Sequence, residues 1–153
     1  MYRHLLIATD GSAFAQKAVT QGLELAKVLN ARVTAVTVSE PIASMVVGSA
    51  TIALPIAEFR AAMDVAAADI LSEVSALAKT MGVPCDVLQV REQYPAEGLI
   101  ESANAKGADL IVMASHGRRG LSKLLLGSQA TRVLSTARYP CSSAATLVMT
   151  IHE

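Results

Sequence analysis

The sequence predicts an α/β fold: a single domain over residues 1–153, built as an open, doubly wound sheet of five parallel strands with helices on both faces. Three observations carry this. Short apolar runs of strand length alternate with longer stretches whose apolar residues recur at three-and-four spacing. Hydrophobic residues make up 52% of the chain against 17% charged, which excludes a disordered chain and calls for elements buried on both faces. The length of 153 residues allows one core to form without disulfides or a structural metal.

The elements follow in order. His4 to Ala8 is a short apolar run closed by Thr-Asp-Gly-Ser, a buried strand running into a turn with Ser12 as helix N-cap. The next helix has Ala15, Ala18, Val19, Gly22, Leu25, Ala26 and Leu29 on one face, and Asn30 is placed to end it. Arg32 to Val38 is rich in β-branched residues and reads as the second strand. From Pro41 to Leu54 no period is sustained, so this segment is expected to be a loop. Glu58 to Thr80 reads as a long helix with Ala62, Met63, Ala66, Ile70, Val74 and Leu77 inward, stopped by Gly82 and Pro84.

Cys85 to Val90 is the third strand, and Pro95 starts a helix with Leu99, Ile100 and Ala103 inward, ended by Gly107. Asp109 to Ala114 is the clearest buried strand in the chain. A glycine-punctuated basic loop follows, then a helix from about Ser128 with Ala130, Val133, Leu134 and Ala137 inward, then a fifth strand over Thr146 to Ile151. Strands joined through helices imply right-handed crossovers and a parallel sheet.

Charge narrows the functional classes. Lys plus Arg and Asp plus Glu are 13 each, so no global field favours nucleic acid or an anionic membrane, and any anion site is local. Pro41 to Ala57 is the longest uncharged stretch, shorter than the roughly 20 residues of a membrane span. The apolar run at the N-terminus meets Asp10 too soon for a secretory signal. Cys85 and Cys141 read as two reduced thiols, and a cytoplasmic location is expected.

In an open, doubly wound sheet, ligands bind outside the carboxyl ends of strands where the strand order reverses. Two segments end strands with suitable residues: Ala8-Thr9-Asp10-Gly11-Ser12, and Ala114 through Ser128. Asp10 is placed either to accept from ribose or adenine donors, to hold a divalent cation beside phosphates, or simply to make a tight turn before the cap. Gly117 and Gly120 let backbone N–H groups approach an anion, and Gly127 and Ser128 open a helix whose dipole favours negative charge. Arg118, Arg119 and Lys123 add local positive charge, and His116 either donates to phosphate or shapes the loop.

Missing motifs are informative too. Neither Gly-x-x-x-x-Gly-Lys-Ser/Thr, nor Gly-x-Gly-x-x-Gly after the first strand, nor a Gly-x-Ser-x-Gly elbow occurs, so the commonest phosphate-transfer, dinucleotide and hydrolase readings lose support. His4, His116 and His152 are isolated, which argues against zinc.

In these residues the sequence resembles the universal stress protein family, over nearly its whole length. Leu6 to Ser12, Asp109 to Gly117 and Leu124 to Ser128 carry the resemblance. Nucleotide-binding members carry Gly, two residues, Gly, nine residues, then Gly-Ser or Gly-Thr. Here the positions are Ala114, Ser115-His116, Gly117, the nine residues Arg118 to Leu126, and Gly127-Ser128, so the spacing is kept and only the first glycine is replaced.

The resemblance implies a Rossmann-like fold of the adenine-nucleotide α-hydrolase type, usually a homodimer, with an ATP site and a magnesium or manganese ion on the phosphates. It implies adenine near Asp10 and Val38, with Ala8 and Thr9 lining the same cleft. It further implies ribose near Met113 and Ala114, phosphates on Gly117, Gly127, Ser128 and the Gln129 amide, and His116 and Arg118 beside them. Asp10 is the one candidate metal ligand. An extended backbone would tolerate the methyl of Ala114, whereas a positive φ or a very close ligand approach there would lower affinity. A second departure is the insertion of Cys141 to Thr146 between Pro140 and the last strand, the strand through which family dimers often pair.

The expected function is therefore that of an ATP-binding, nucleotide-responsive stress or regulatory factor with at most slow hydrolysis, since no nucleophile or general base can be named. The alternative is a protein-interaction module that uses a dimer face or the 41–54 loop.

Overall fold

A computed structural model describes residues 1–42, 55–115, 128–137 and 147–151, with backbone alone for 128, 136, 137 and 147–151. The elements are β1 (His4–Ala8), α1 (Ala13–Leu29), β2 (Arg32–Val38), α2 (Ile56–Met81), β3 (Cys85–Val90), α3 (Pro95–Lys106), β4 (Leu110–Ala114), α4 (Ser128–Ala137) and β5 (Leu147–Ile151). They form the expected parallel sheet of five strands in the order β3-β2-β1-β4-β5. Boundaries depart from the sequence expectation by one or two residues: α2 begins at Ile56 rather than Glu58, and β4 at Leu110 rather than Asp109. Most of the expected 41–54 loop, residues 43–54, lies outside the described residues.

Strand alternation divides the core in two. Leu5 and Ile7 of β1, Val33 and Ala35 of β2, and Leu110 and Val112 of β4 face one side, where Val19, Leu23 and Ala26 of α1 and Leu71, Val74 and Ala78 of α2 cover them. Leu6, Val36, Ile111 and Met113 face the other side, beneath Ala96, Leu99 and Ala103 of α3 and Ala130 and Val133 of α4. Two helices per face follow from the winding: β1 to β3 is traversed in one direction, and the chain then crosses to β4 on the far side of β1.

The helix ends are set by the residues the sequence suggested. Ser12 Oγ accepts from Ala15 N at 3.2 Å, and Asn30, Gly82 and Gly107 close α1, α2 and α3 in left-handed conformation. Gly22 has a packing reason: a Cβ there would meet Ile7 Cδ1 at 2.7 Å and Val112 Cγ1 at 3.3 Å, so its absence brings α1 down onto β1 and β4.

The inward face of α2 differs from the expected one. Of the residues expected inward Val74 is buried, together with Ala67, Leu71 and Ala78, while Ala62, Ala66 and Leu77 are exposed and Met63 and Ile70 half-buried. Alanines lie on every side of this helix, so apolar spacing alone admits more than one stripe. Its first turns carry exposed Ile56 and Phe59; burial begins at Ala67, and Leu71 and Val74 then join the core over the sheet. Edge strand β3 is likewise less covered than a strand buried on both faces, with Asp86 and Val87 exposed.

The amino ends of β1 and β4 are tied through Asp109, whose carboxylate accepts from Arg3 N at 2.9 Å and His4 N at 3.2 Å. His4 itself is buried, with Nε2 and Thr34 Oγ1 2.8 Å apart. Burial first, and the Arg32 charge second, hold its pKa below the ordinary 6.5, against the upward pull of the Lys106 backbone, Asp109 and Asp86. The unfolded chain thus binds this proton more tightly than the folded one. The contribution of His4 to stability is therefore full well above pH 6.5, is lost progressively as pH falls through that value, and levels off once the folded pKa is passed. Denaturant midpoints measured between pH 5 and 7.5 are expected to fall towards the acid side, and less steeply in His4→Gln; equal slopes in the two proteins would refute the assignment.

Candidate functional site

A crossover helix between parallel strands returns antiparallel to them, so each helix begins at the carboxyl edge of the sheet. The winding reverses between β1 and β4, which places the exits of both strands side by side at the carboxyl edge of the sheet, where α1 and α4 begin and where such folds bind ligands.

On the β1 side, Thr9 N donates to Val36 O at 2.9 Å and extends the β1–β2 ladder one residue past the strand. The buried Thr9 then turns the chain: its Oγ1 accepts from Gly11 N at 3.2 Å, and Asp10 Oδ1 accepts from Ser12 N at 3.0 Å. Gly11, at φ 76, takes the left-handed turn that a side chain would resist. Asp10 therefore serves the turn, one of the roles read for it from sequence, and it does so at this edge.

On the β4 side, Met113 is buried in the α3/α4 half of the core and Ser115 is buried just beyond the strand. Ala114 pairs with Ile151 in the β4–β5 ladder, and positive φ among the described non-glycine residues occurs at Asn30 and Glu92 alone. Ala114 is therefore extended, and its methyl carries no conformational cost. Because Met113 faces the α3/α4 side, alternation turns the methyl of Ala114 to the opposite face. Ala8 and Val38 pack with Met113 on the α3/α4 side.

Helix α4 starts at Ser128, and Gln129 in its first turn carries a buried Oε1 with no hydrogen-bond partner among the described residues. A buried amide oxygen without a partner is costly, and an amide's O and N are assigned from their neighbours, so this group is suited to meet a polar ligand atom in either orientation. Arg132, one turn on, pairs with Glu97 of α3 at 2.8 Å. His116, Gly117, Arg118 and Gly127 lie outside the described residues. Among the described residues no group of three or more His, Cys, Asp and Glu side chains is placed to hold a metal ion. Nor does any described helix have the length and apolarity to cross a membrane.

The structure thus gathers Ala8, Thr9, Asp10, Val38, Met113, Ala114 and Gln129 at one edge of the sheet. It also adds residues that sequence reading passed over. Gly98 in α3 leaves room for Val38: a Cβ there would lie 3.0 Å from Val38 Cγ1 and 3.3 Å from Gln93 Oε1. A lone glycine inside a helical pattern was the available signal for that close approach. Ser39 continues the wall, donating to Val90 O at 2.8 Å and accepting from Gln93 N at 3.1 Å.

Comparison with known proteins places this architecture. The profile of the universal stress protein family matches residues 1–142. The chain belongs to the universal stress protein family. A universal stress protein of Methanocaldococcus jannaschii is 34% identical over 147 residues, an alignment covering 92% of this chain and 80% of that one. The crystal structure of a family member from Burkholderia pseudomallei superposes with a TM-score of 0.74 at 27% identity, covering 99% of this chain and 97% of the other. A further universal stress protein, solved in complex with cAMP, shares the fold with a TM-score of 0.67 at 24% identity, covering 99% of this chain and 97% of the other.

Proposed function

We propose that this universal stress protein binds ATP at the carboxyl ends of β1, β2 and β4 and acts as a nucleotide-responsive stress or regulatory factor. The observation that carries the reading is the retained spacing from Ala114 through Gly117 to Gly127-Ser128, starting from an extended residue at the carboxyl edge where the winding reverses. In this reading the base lies by Val38 and Asp10 with Ala8 and Thr9 lining the cleft, and the ribose lies by Met113 and Ala114. The phosphates lie on Gly117, Gly127, Ser128 and Gln129, with His116 and Arg118 at hand. Extended backbone at 114 supports it, because the replaced glycine is not required for conformation. The cAMP complex of a structural neighbour supports it further.

A magnesium or manganese ion, held chiefly by the phosphates with Asp10 as the protein ligand, would offset the charge of the polyphosphate. We read the protein as a cytoplasmic homodimer with at most slow hydrolysis. The test is the identity of the small molecule released when the purified protein is mildly denatured, read by mass spectrometry. An adenine nucleotide is expected; a released ligand without adenine would contradict the proposal.

A further inference from the structure

We infer that Glu92 is a positioning residue for the nucleotide site, a clasp that fixes the exit of β2 where the base would sit; the affinity part of this inference rests on the ATP reading above. Four observations converge on it. Glu92 is one of two described non-glycine residues with positive φ, at 53°, and unlike Asn30 it caps no helix. A residue with a Cβ is held in that region only where its surroundings over-determine it. Its Oε2 accepts from Ile42 N at 3.3 Å and its Oε1 pairs with Arg60 of α2 at 3.0 Å. Its neighbour Gln93 donates from N to Ser39 O at 3.1 Å, and Ser39 N donates to Val90 O at 2.8 Å.

Past the end of β2 the backbone is therefore pinned twice: at Ser39 by the backbone around Glu92, and at Ile42 by the Glu92 carboxylate. Pro41 between them has no N–H to offer, so the Ile42 amide is the first donor after it. Ile42 is buried, which gives the pin a fixed point in the core. The Arg60 pair is exposed on both sides and contributes little to stability, but it directs the carboxylate. The left-handed turn is what lets one residue bring its side chain back across the sheet edge to the segment leaving β2. That segment starts at Val38, whose side chain is also confined from the other side by Gly98.

The two substitutions that separate the parts are Glu92→Gly, which relieves the backbone and removes the carboxylate, and Glu92→Gln, which keeps an acceptor for Ile42 N. Hydrogen exchange at the Ile42 amide reads the clasp directly, with no nucleotide present. It is expected to be slow in the native chain and in Glu92→Gln and fast in Glu92→Gly. By titration calorimetry, Glu92→Gly is expected to weaken ATP about ten-fold, equivalent to roughly 1.4 kcal/mol, while its denaturant midpoint stays at or above the native one. Glu92→Gln is expected to stay within about two-fold of native, keeping most of a single hydrogen bond's contribution. Unchanged exchange at Ile42 in Glu92→Gly overturns the clasp. Fast exchange with unchanged ATP affinity overturns its role in the site, as does Glu92→Gln weakening ATP as much as Glu92→Gly. Failure of the native chain to bind ATP refutes the proposed function and with it the positioning role, while the exchange result still decides whether the clasp exists.

Discussion

Replacing Asp10 with Ala is expected to weaken ATP binding at least about ten-fold, the scale of one hydrogen bond to a charged group at roughly 1.5–3 kcal/mol. In folding stability the substitution removes, among the Asp10 interactions, the local bond from Ser12 N to Asp10 Oδ1, worth about 1 kcal/mol. Asp10→Asn separates the roles. An amide oxygen still accepts from Ser12 N and from a ribose or adenine donor, but it carries no charge to hold a cation. Affinity retained in Asp10→Asn would assign hydrogen-bond acceptance; a deficit in Asp10→Asn that disappears when divalent cation is omitted, because the native chain then weakens to the same level, would assign metal binding. Calorimetry on the two variants beside denaturant unfolding reads both quantities. Asp10→Ala binding ATP like the native chain would remove Asp10 from the site.

The largest effect on stability is expected at Ile111. It is fully buried in β4, between β1 and β5, and packs with Leu6, Leu99, Ala130 and Val133 beneath α3 and α4. Ile111→Ala removes three carbons where neither helix can close the gap without leaving its other contacts, so a loss of about 3–4 kcal/mol is expected. For a domain whose whole stability is of order 5–15 kcal/mol this is a large share, and the melting temperature should fall by about ten degrees. The Arg132–Glu97 pair over the same helices, with side chains 57% and 38% exposed, stands in contrast. Truncating Arg132 should cost at most about 1 kcal/mol. An Ile111→Ala loss no larger than the Arg132 one, in urea unfolding, would mean that the two halves of the core repack far more freely than the alternation of β1, β2 and β4 implies.

That alternation also explains how much of the fold was legible in the sequence. Central strands such as Leu110–Ala114 are buried on both sides and so are written almost wholly in apolar residues, while Ser12, Asn30, Gly82 and Gly107 mark helix ends through capping chemistry that is local to the chain. Helix α2 was legible as a helix but not in its facing. Ala62, Ala66 and Leu77 and the buried set Ala67, Leu71, Val74 and Ala78 are both reasonable stripes, and only the position of the sheet chooses between them.

The site divided along the same line. Thr9, Asp10 and Gly11 announce a turn because their hydrogen bonds reach two residues along the chain. Glu92 announces nothing: its partners Ile42 and Arg60 are distant in sequence, and a glutamate has no intrinsic preference for the left-handed turn it adopts. Whether position 114 needs a positive φ was likewise a question of backbone conformation, which the ladder to Ile151 answers and residue type alone does not.

The central claim is that this chain binds ATP at the crevice between β1 and β4 through its glycine-spaced segment. Titration calorimetry with ATP, on the native chain and on Gly117→Val and Gly127→Val with folding checked by circular dichroism, tests it most directly. Saturable binding by the native chain that is lost in both folded variants is the predicted result. No binding by the native chain, or binding indifferent to both substitutions, would contradict it.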